Sequence, residues 1–147
     1  MDFDLVPATE NERAFIYALY RDCMKPFYES FSSWDESERR RRFDEDFDGE
    51  SISLIALEDF ALGYVDLREN DDDITIAELH IVPSARKNGI GTAVLDDICG
   101  FSDMRGISIN GKCFKTDESM IRVFEKCGFV RSGETDCEYI YAREPVQ

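Results

Sequence analysis

The order of elements predicts a mixed α/β fold with an α+β-like order: one mixed sheet with helices on both faces. Three observations carry it. Hairpin-like strands crowd the middle of the chain, from Ser51 to Val82. A strand–loop–helix–strand unit follows, from Ile74 to Cys113. Of the 147 residues, 43% are hydrophobic and 12% aromatic, which suits one core in one domain spanning residues 1–147.

From the N-terminus, Asp2 to Pro7 reads as a short strand. Thr9 and Glu12 then have the spacing of a capping box, in which each side chain satisfies the other's free backbone N–H. The helix behind it has Ile16, Leu19, Tyr20 and Cys23 at the intervals of one buried stripe, and Pro26 should end it. Ser33 and Glu36 suggest a second capping box, with Trp34, Phe43 and Phe47 anchoring that helix. Inside it, Arg39-Arg40-Arg41-Arg42 reads either as a grip for an anion or as a solvated face. The face is the better reading, because Glu36/Arg40, Glu38/Arg42, Arg40/Asp44 and Arg41/Glu45 are each four apart.

Ser51 to Leu57 and Leu62 to Leu67 form a hairpin around Glu58-Asp59-Phe60. The acidic turn from Glu69 to Asp73 lacks the glycine and terminal Glu of an EF-hand loop, so no calcium site is expected. A strand follows from Ile74 to Val82. Next comes a helix from Ile90 to Phe101, with Ile90, Ala93, Val94, Ile98 and Phe101 on one face. The chain then turns at Asp103 to Gly106. Ile107 to Cys113 is a strand, and a helix from Asp117 to Lys126 closes at Gly128. Phe129-Val130 and Glu138 to Ala142 are the last strands.

The net charge of −15 argues against a nucleic-acid partner, because phosphate backbones are bound by Lys and Arg. It favours a cationic amine only weakly, by long-range steering, and solubility accounts for it as well. The five cysteines are few, odd in number and widely spaced, so neither a disulfide framework nor a zinc site is expected. No apolar run approaches membrane length, and Met1-Asp2-Phe3-Asp4 does not open a signal peptide. Reduced thiols, a cytoplasmic location, no membrane and no metal are the resulting expectations. A homodimer is compatible with all of them.

The stretch Ile81 to Thr92 holds the chemistry. A glycine-bearing loop between a strand and a helix turns backbone N–H groups inward, and the helix start adds partial positive charge. Gly89 and Gly91 let backbone approach an anion, and Arg86 and Lys87 add charge. The third glycine of a dinucleotide fingerprint is missing, as is the Gly-Lys-Ser/Thr of a P-loop.

On Ile81, Pro83, Arg86, Gly89 and Gly91, the loop resembles the coenzyme A pyrophosphate loop of the GNAT superfamily of N-acetyltransferases. Asp117 to Phe129, ending in Gly128-Phe129, resembles that family's last helix. Met24 to Glu29 and Trp34-Asp35-Glu36 resemble a small bacterial subgroup. The resemblance covers nearly the whole chain. It implies a GNAT-type, mostly antiparallel sheet and an acetyl-CoA-dependent enzyme acting on a primary amine of a small molecule or protein, by direct attack in a ternary complex. It also implies that coenzyme A pairs with backbone at Ile81 and Val82. The pyrophosphate would rest on Arg86, Lys87, Asn88, Gly89, Ile90, Gly91 and Thr92, and Asp117 and Phe124 would lie along the coenzyme.

Attack on a thioester needs a neutral amine, so a base must accept a proton. Glu78 is the first candidate and His80, the only histidine, the second. Alternation puts both on one face of the strand unless a bulge intervenes. A surface carboxylate and a satisfied sheet histidine are the alternatives. Phe124 stands where many family members have a Tyr that protonates the leaving thiolate. Tyr139, Tyr141 or Cys127 could substitute, or the chain is a catalytically weak acyl-CoA-binding module on the same fold.

Overall fold

The computed structural model describes residues 2–147. Its sheet is formed by β1 (Asp4–Pro7), β2 (Ile52–Leu57), β3 (Phe60–Glu69), β4 (Asp73–Ile81), β5 (Ser108–Phe114), β6 (Val130–Glu134) and β7 (Glu138–Arg143). The seven strands lie in the order β1-β2-β3-β4-β5-β7-β6. Every neighbouring pair is antiparallel except β4 and β5. The parallel pair needs a crossover, and the helix after the glycine loop supplies it.

Helices α1 (Arg13–Glu29) and α2 (Glu36–Asp46) cover one face, and α3 (Ile90–Arg105) and α4 (Glu118–Lys126) the other. Two clusters result. Ile16, Leu19, Ile52 and Tyr64 lie under α1, with Phe43 and Phe47 of α2 packed alongside. Val65, Ile76, Val94, Leu95, Ile98, Ile109, Phe124 and Tyr141 fill the α3/α4 side. The buried stripe of α3 includes Leu95, Cys99 and Ser102, whereas Phe101 is exposed.

Strands β3 and β6 run longer than expected, over Phe60–Glu69 and Val130–Glu134, and three helix boundaries differ. Helix α1 does not stop at Pro26 but runs on to Glu29. Proline removes one helix bond and should stop the helix there. Here the last turn is held by tertiary contacts: Phe27 stacks on Phe114 at 5.3 Å and Tyr28 meets the same ring edge-on at 5.2 Å. Helix α2 is capped by Asp35, whose side chain accepts from Glu38 N–H at 3.1 Å, not by Ser33. Glu36 accepts instead from Trp34 Nε1 and Tyr17 Oη. Helix α3 continues to Arg105 and ends on Gly106 in the left-handed conformation, so 103–105 is helix and not turn. The Thr9–Glu12 capping box forms, followed by one turn of 3₁₀ helix. Of the four pairs expected in the arginine run, Arg40–Asp44, Arg41–Glu45 and Arg42–Glu38 form, while Glu36 pairs with Arg21 and not Arg40, Arg41 also takes Glu38, and Arg39 has no carboxylate partner among the described residues. No helix among the described residues is long and apolar enough to cross a membrane.

Candidate active site

Strands β4 and β5 are paired only from Asp73–Ile76 to Ser108–Gly111. Beyond that they diverge, and the β5-facing edge of residues 77–81 has no strand partner. A gap therefore opens in mid-sheet, with the glycine loop at its mouth. Ile81 O accepts from Arg86 Nε at 3.0 Å, so the groups of Ile81 point into the gap. Val82 N–H donates to Leu62 O at 2.8 Å and Val82 O accepts from Ala85 N–H at 3.0 Å. Both Val82 groups are thus engaged within the protein. Alternation leaves Ile81, and not Val82, as the residue with a free N–H in the gap.

A bulge at Ala77 decides where the titratable side chains go. Across β3, Leu67 faces Ile76 but Asp66 faces Glu78, so Ala77 is the extra residue. Ile76 packs in the α3/α4 core, and Ile74, two residues before it, is fully buried on the same face by alternation. Without the bulge Glu78 and His80 would follow them. With it, they turn to the α1 side, where the His80 ring packs near Tyr20 and Tyr64. The bulge precedes both residues, so they stay on one face, with His80 Nε2 3.5 Å from Glu78 Oε1.

His80 gathers further groups around it. Burial disfavours the charged ring, but hydrogen bonds to Cys23 and Glu78 outweigh it and raise the pKa to about 9. Cys23 Sγ also lies 3.0 Å from Arg86 Nη2. Asp117 lies near enough to His80 and Arg86 to feel both charges. Burial raises the Asp117 carboxyl, opposed by the Met120 N–H that it caps at 3.1 Å. Glu78, His80, Cys23, Arg86 and Asp117 thus form one set from four segments. Cys23 in this role was not visible in the sequence. Its only signal was a position three residues beyond Tyr20 on the α1 stripe.

The loop has the geometry of an anion cradle. Lys87 and Gly89 are both in the left-handed conformation, at φ 66° and 77°. Among the described residues, no backbone or side-chain group accepts from the N–H groups of residues 87–92. A Cβ placed on Gly91 would meet nothing within 4 Å. A row of free N–H groups beside open space at a helix start has the chemistry to hold a phosphate.

Over residues 14–129 the sequence matches the Acetyltransferase (GNAT) family. The chain belongs to that family. Solved structures of similar fold include the PaiA N-acetyltransferase of Thermoplasma acidophilum in complex with coenzyme A. Its TM-score is 0.76 at 12% identity, covering 98% of this chain and 99% of that one. An N-acetyltransferase from Staphylococcus aureus Mu50 gives 0.75 at 11%, covering 95% and 100%. An acetyltransferase from Thermus thermophilus gives 0.72 at 17%, covering 98% and 97%. At such identities the likeness is one of fold. Among curated protein sequences none matches.

In this GNAT acetyltransferase Phe124 is core, not site surface. It is 1% exposed, stacked on Tyr141 at 4.9 Å and packed against Phe129 at 5.0 Å. Its Cζ, where a hydroxyl would attach, is 2.7 Å from where a Cβ on Gly111 would lie. The substitutes suggested for the missing hydroxyl fare no better. Tyr141 Oη donates to Glu125 at 2.9 Å within the core packing. Tyr139 lies under the Arg131 guanidinium at 3.6 Å. Burial pushes the Cys127 thiol up to about 12, and it faces Thr92 O.

A pocket of about 290 Å³ adjoins Glu78 on the α1/α2 side. Tyr20, Phe43, Phe47 and Tyr64 wall it with rings, and Arg39, Arg42 and Arg68 line it with positive charge beside Asp46 and Asp66. Among the described residues no cluster of three His, Cys, Asp or Glu side chains could hold a metal ion.

Proposed function

We propose that this acetyltransferase uses acetyl-CoA to acetylate a primary amine by direct attack in a ternary complex. The row of unengaged N–H groups over residues 87–92, at the mouth of the β4/β5 gap, carries the reading. When bound, acetyl-CoA supplies an acetyl group activated as a thioester. The loop residues Arg86, Lys87, Asn88, Gly89, Ile90, Gly91 and Thr92 fit its pyrophosphate through backbone N–H groups and the helix start. The Ile81 N–H faces the gap and is placed to stabilise an oxyanion on the acetyl carbonyl.

Glu78 joins the acceptor pocket to His80 and is the base that takes the amine proton, directly or through one water. With its pKa raised to about 9, His80 is the poorer base of the two. It is the group able to return a proton to the departing sulfur, the role for which Phe124 has no hydroxyl. Arg86 holds Cys23 and the Ile81 carbonyl in register with the loop.

The test has two stages. Coenzyme A at ~100 times its dissociation constant should stabilise the protein by about 2.7 kcal/mol in thermal melting. Gly91→Asp should abolish that shift without unfolding the chain, since its Cβ enters open space and its carboxylate enters the cradle. With an active acceptor, Glu78→Gln should lower turnover roughly 10²- to 10⁴-fold, measured as free thiol released, while the coenzyme A shift persists. A wild type blind to millimolar coenzyme A removes the proposal.

A further inference from the structure

The three arginines of the acceptor pocket are not equivalent. Arg68 is held by Asp66 through two hydrogen bonds of 2.9 Å. Arg42 Nε is held by Glu38 at 3.1 Å. Arg39 has no carboxylate within ion-pair distance among the described residues. It lies over the Tyr28 ring at 3.8 Å, with Trp34 at 5.5 Å. These aromatic faces fix the guanidinium plane and neutralise none of its charge. In a chain of net charge −15, a half-buried arginine without a counter-ion at a pocket wall is conspicuous.

Tyr20 locates that charge relative to the chemistry. Its ring lines the same pocket as Arg39 and Glu78. The proposed base and the free guanidinium therefore face one cavity. The pocket presents a carboxylate for an ammonium and, a short distance away, a cation for an anion. At about 290 Å³ it is at the small end of ligand sites, walled otherwise by rings, Ile52 and Ala77, with Asp66 engaged by Arg68 and Asp46 at its rim.

We infer that the acceptor is a small amphoteric amine: a primary amine with a carboxylate a few bonds from the nitrogen, held by Arg39, and an apolar side group against Phe43 and Phe47. A simple amine leaves Arg39 uncompensated, and a polyamine brings a second cation to it. The unpartnered Arg39 therefore favours the amino acid over both. This rests on the transferase reading for its turnover data but has a binding test of its own.

The probes are L-phenylalanine and L-leucine against their decarboxylated amines, phenethylamine and isoamylamine, with putrescine as the dicationic comparison. Wild type should show kcat/KM roughly 10- to 100-fold higher for each amino acid than for its amine, the range of a charge-assisted hydrogen bond. Arg39→Met keeps an unbranched stem over Tyr28 and should bring the ratio to about one, through KM for the amino acid. Arg39→Lys should retain part of the preference, and Arg39→Glu should invert it towards putrescine. Coenzyme A stabilisation should be equal in all four proteins.

Turnover is bypassed by calorimetry of N-acetyl-L-phenylalanine against N-acetylphenethylamine. Tighter binding of the acid, lost in Arg39→Met, supports the anion subsite even where no amine is acetylated, an outcome that sinks the transferase reading alone. Equal binding of the two, or a preference unchanged in Arg39→Glu, overturns the subsite and leaves Arg39 as a stacking residue.

Discussion

His80 and Phe124 show how far one residue's role depends on its surroundings. The His80 ring is held protonated with a pKa of about 9, against 6.5 for an unperturbed ring. Below pH 6.5 both folded and unfolded chains carry that proton, and the stabilisation is complete. Between about pH 6.5 and 9 only the folded chain keeps it, so stability falls as pH rises. The loss should reach on the order of 3 kcal/mol by pH 9.5, since the side chain is 11% exposed and little screened. Urea denaturation across pH 6 to 9.5 measures it, and His80→Gln should flatten that part of the profile. A wild-type profile as flat as the variant's would contradict the assignment. At position 124 a hydroxyl would be buried close against Gly111. Phe124→Tyr should therefore destabilise the protein by about 1–3 kcal/mol and leave turnover no higher. A faster Phe124→Tyr enzyme would show that the ring swings into the gap.

Strand β4 is the element on which the site is built. Its register depends on the Ala77 bulge and on a close approach from β3. A Cβ on Gly63 would collide with the His80 carbonyl, and the Ile81 Cα would be 3.0 Å away. Backbone cannot swing aside as a side chain can, so Gly63→Ala must push β4 away from β3. The expected cost is over ~2 kcal/mol, with loss of activity exceeding loss of coenzyme A binding, because His80 and Ile81 move while the loop does not. Melting temperature and the coenzyme A shift, measured together, separate the two. Unchanged melting would mean that the strands are not this close.

Across the whole molecule the acidic excess acts on stability. The surface ion pairs of α2 are solvent-exposed and each contribute little. A net charge of −15 on a 147-residue chain repels itself in the folded state. Screening should win: raising NaCl from 20 to 300 mM should raise the melting temperature, although it weakens those pairs. A fall in melting temperature would show that the ion pairs outweigh the repulsion.

Hydrophobic period and turn residues determined the element order, the hairpin and the glycine loop between strand and helix from the sequence. Each is a local property, readable within about a dozen residues. Boundaries set by distant contacts were not readable. Phe114 carries α1 past Pro26, and Asp35 caps α2 because Trp34 and Tyr17 take Glu36. The same holds for the site. Glu78 and His80 were legible as a pair, but their face depends on the Ala77 bulge, which only pairing with β3 defines. Cys23 lies 63 residues before Arg86, and Arg39 is singled out only because Arg42 and Arg68 have carboxylates and it has none. Charge compensation and bulges belong to neighbours in space. The sequence could place each residue on its element, and only the packed sheet could decide which of them meet.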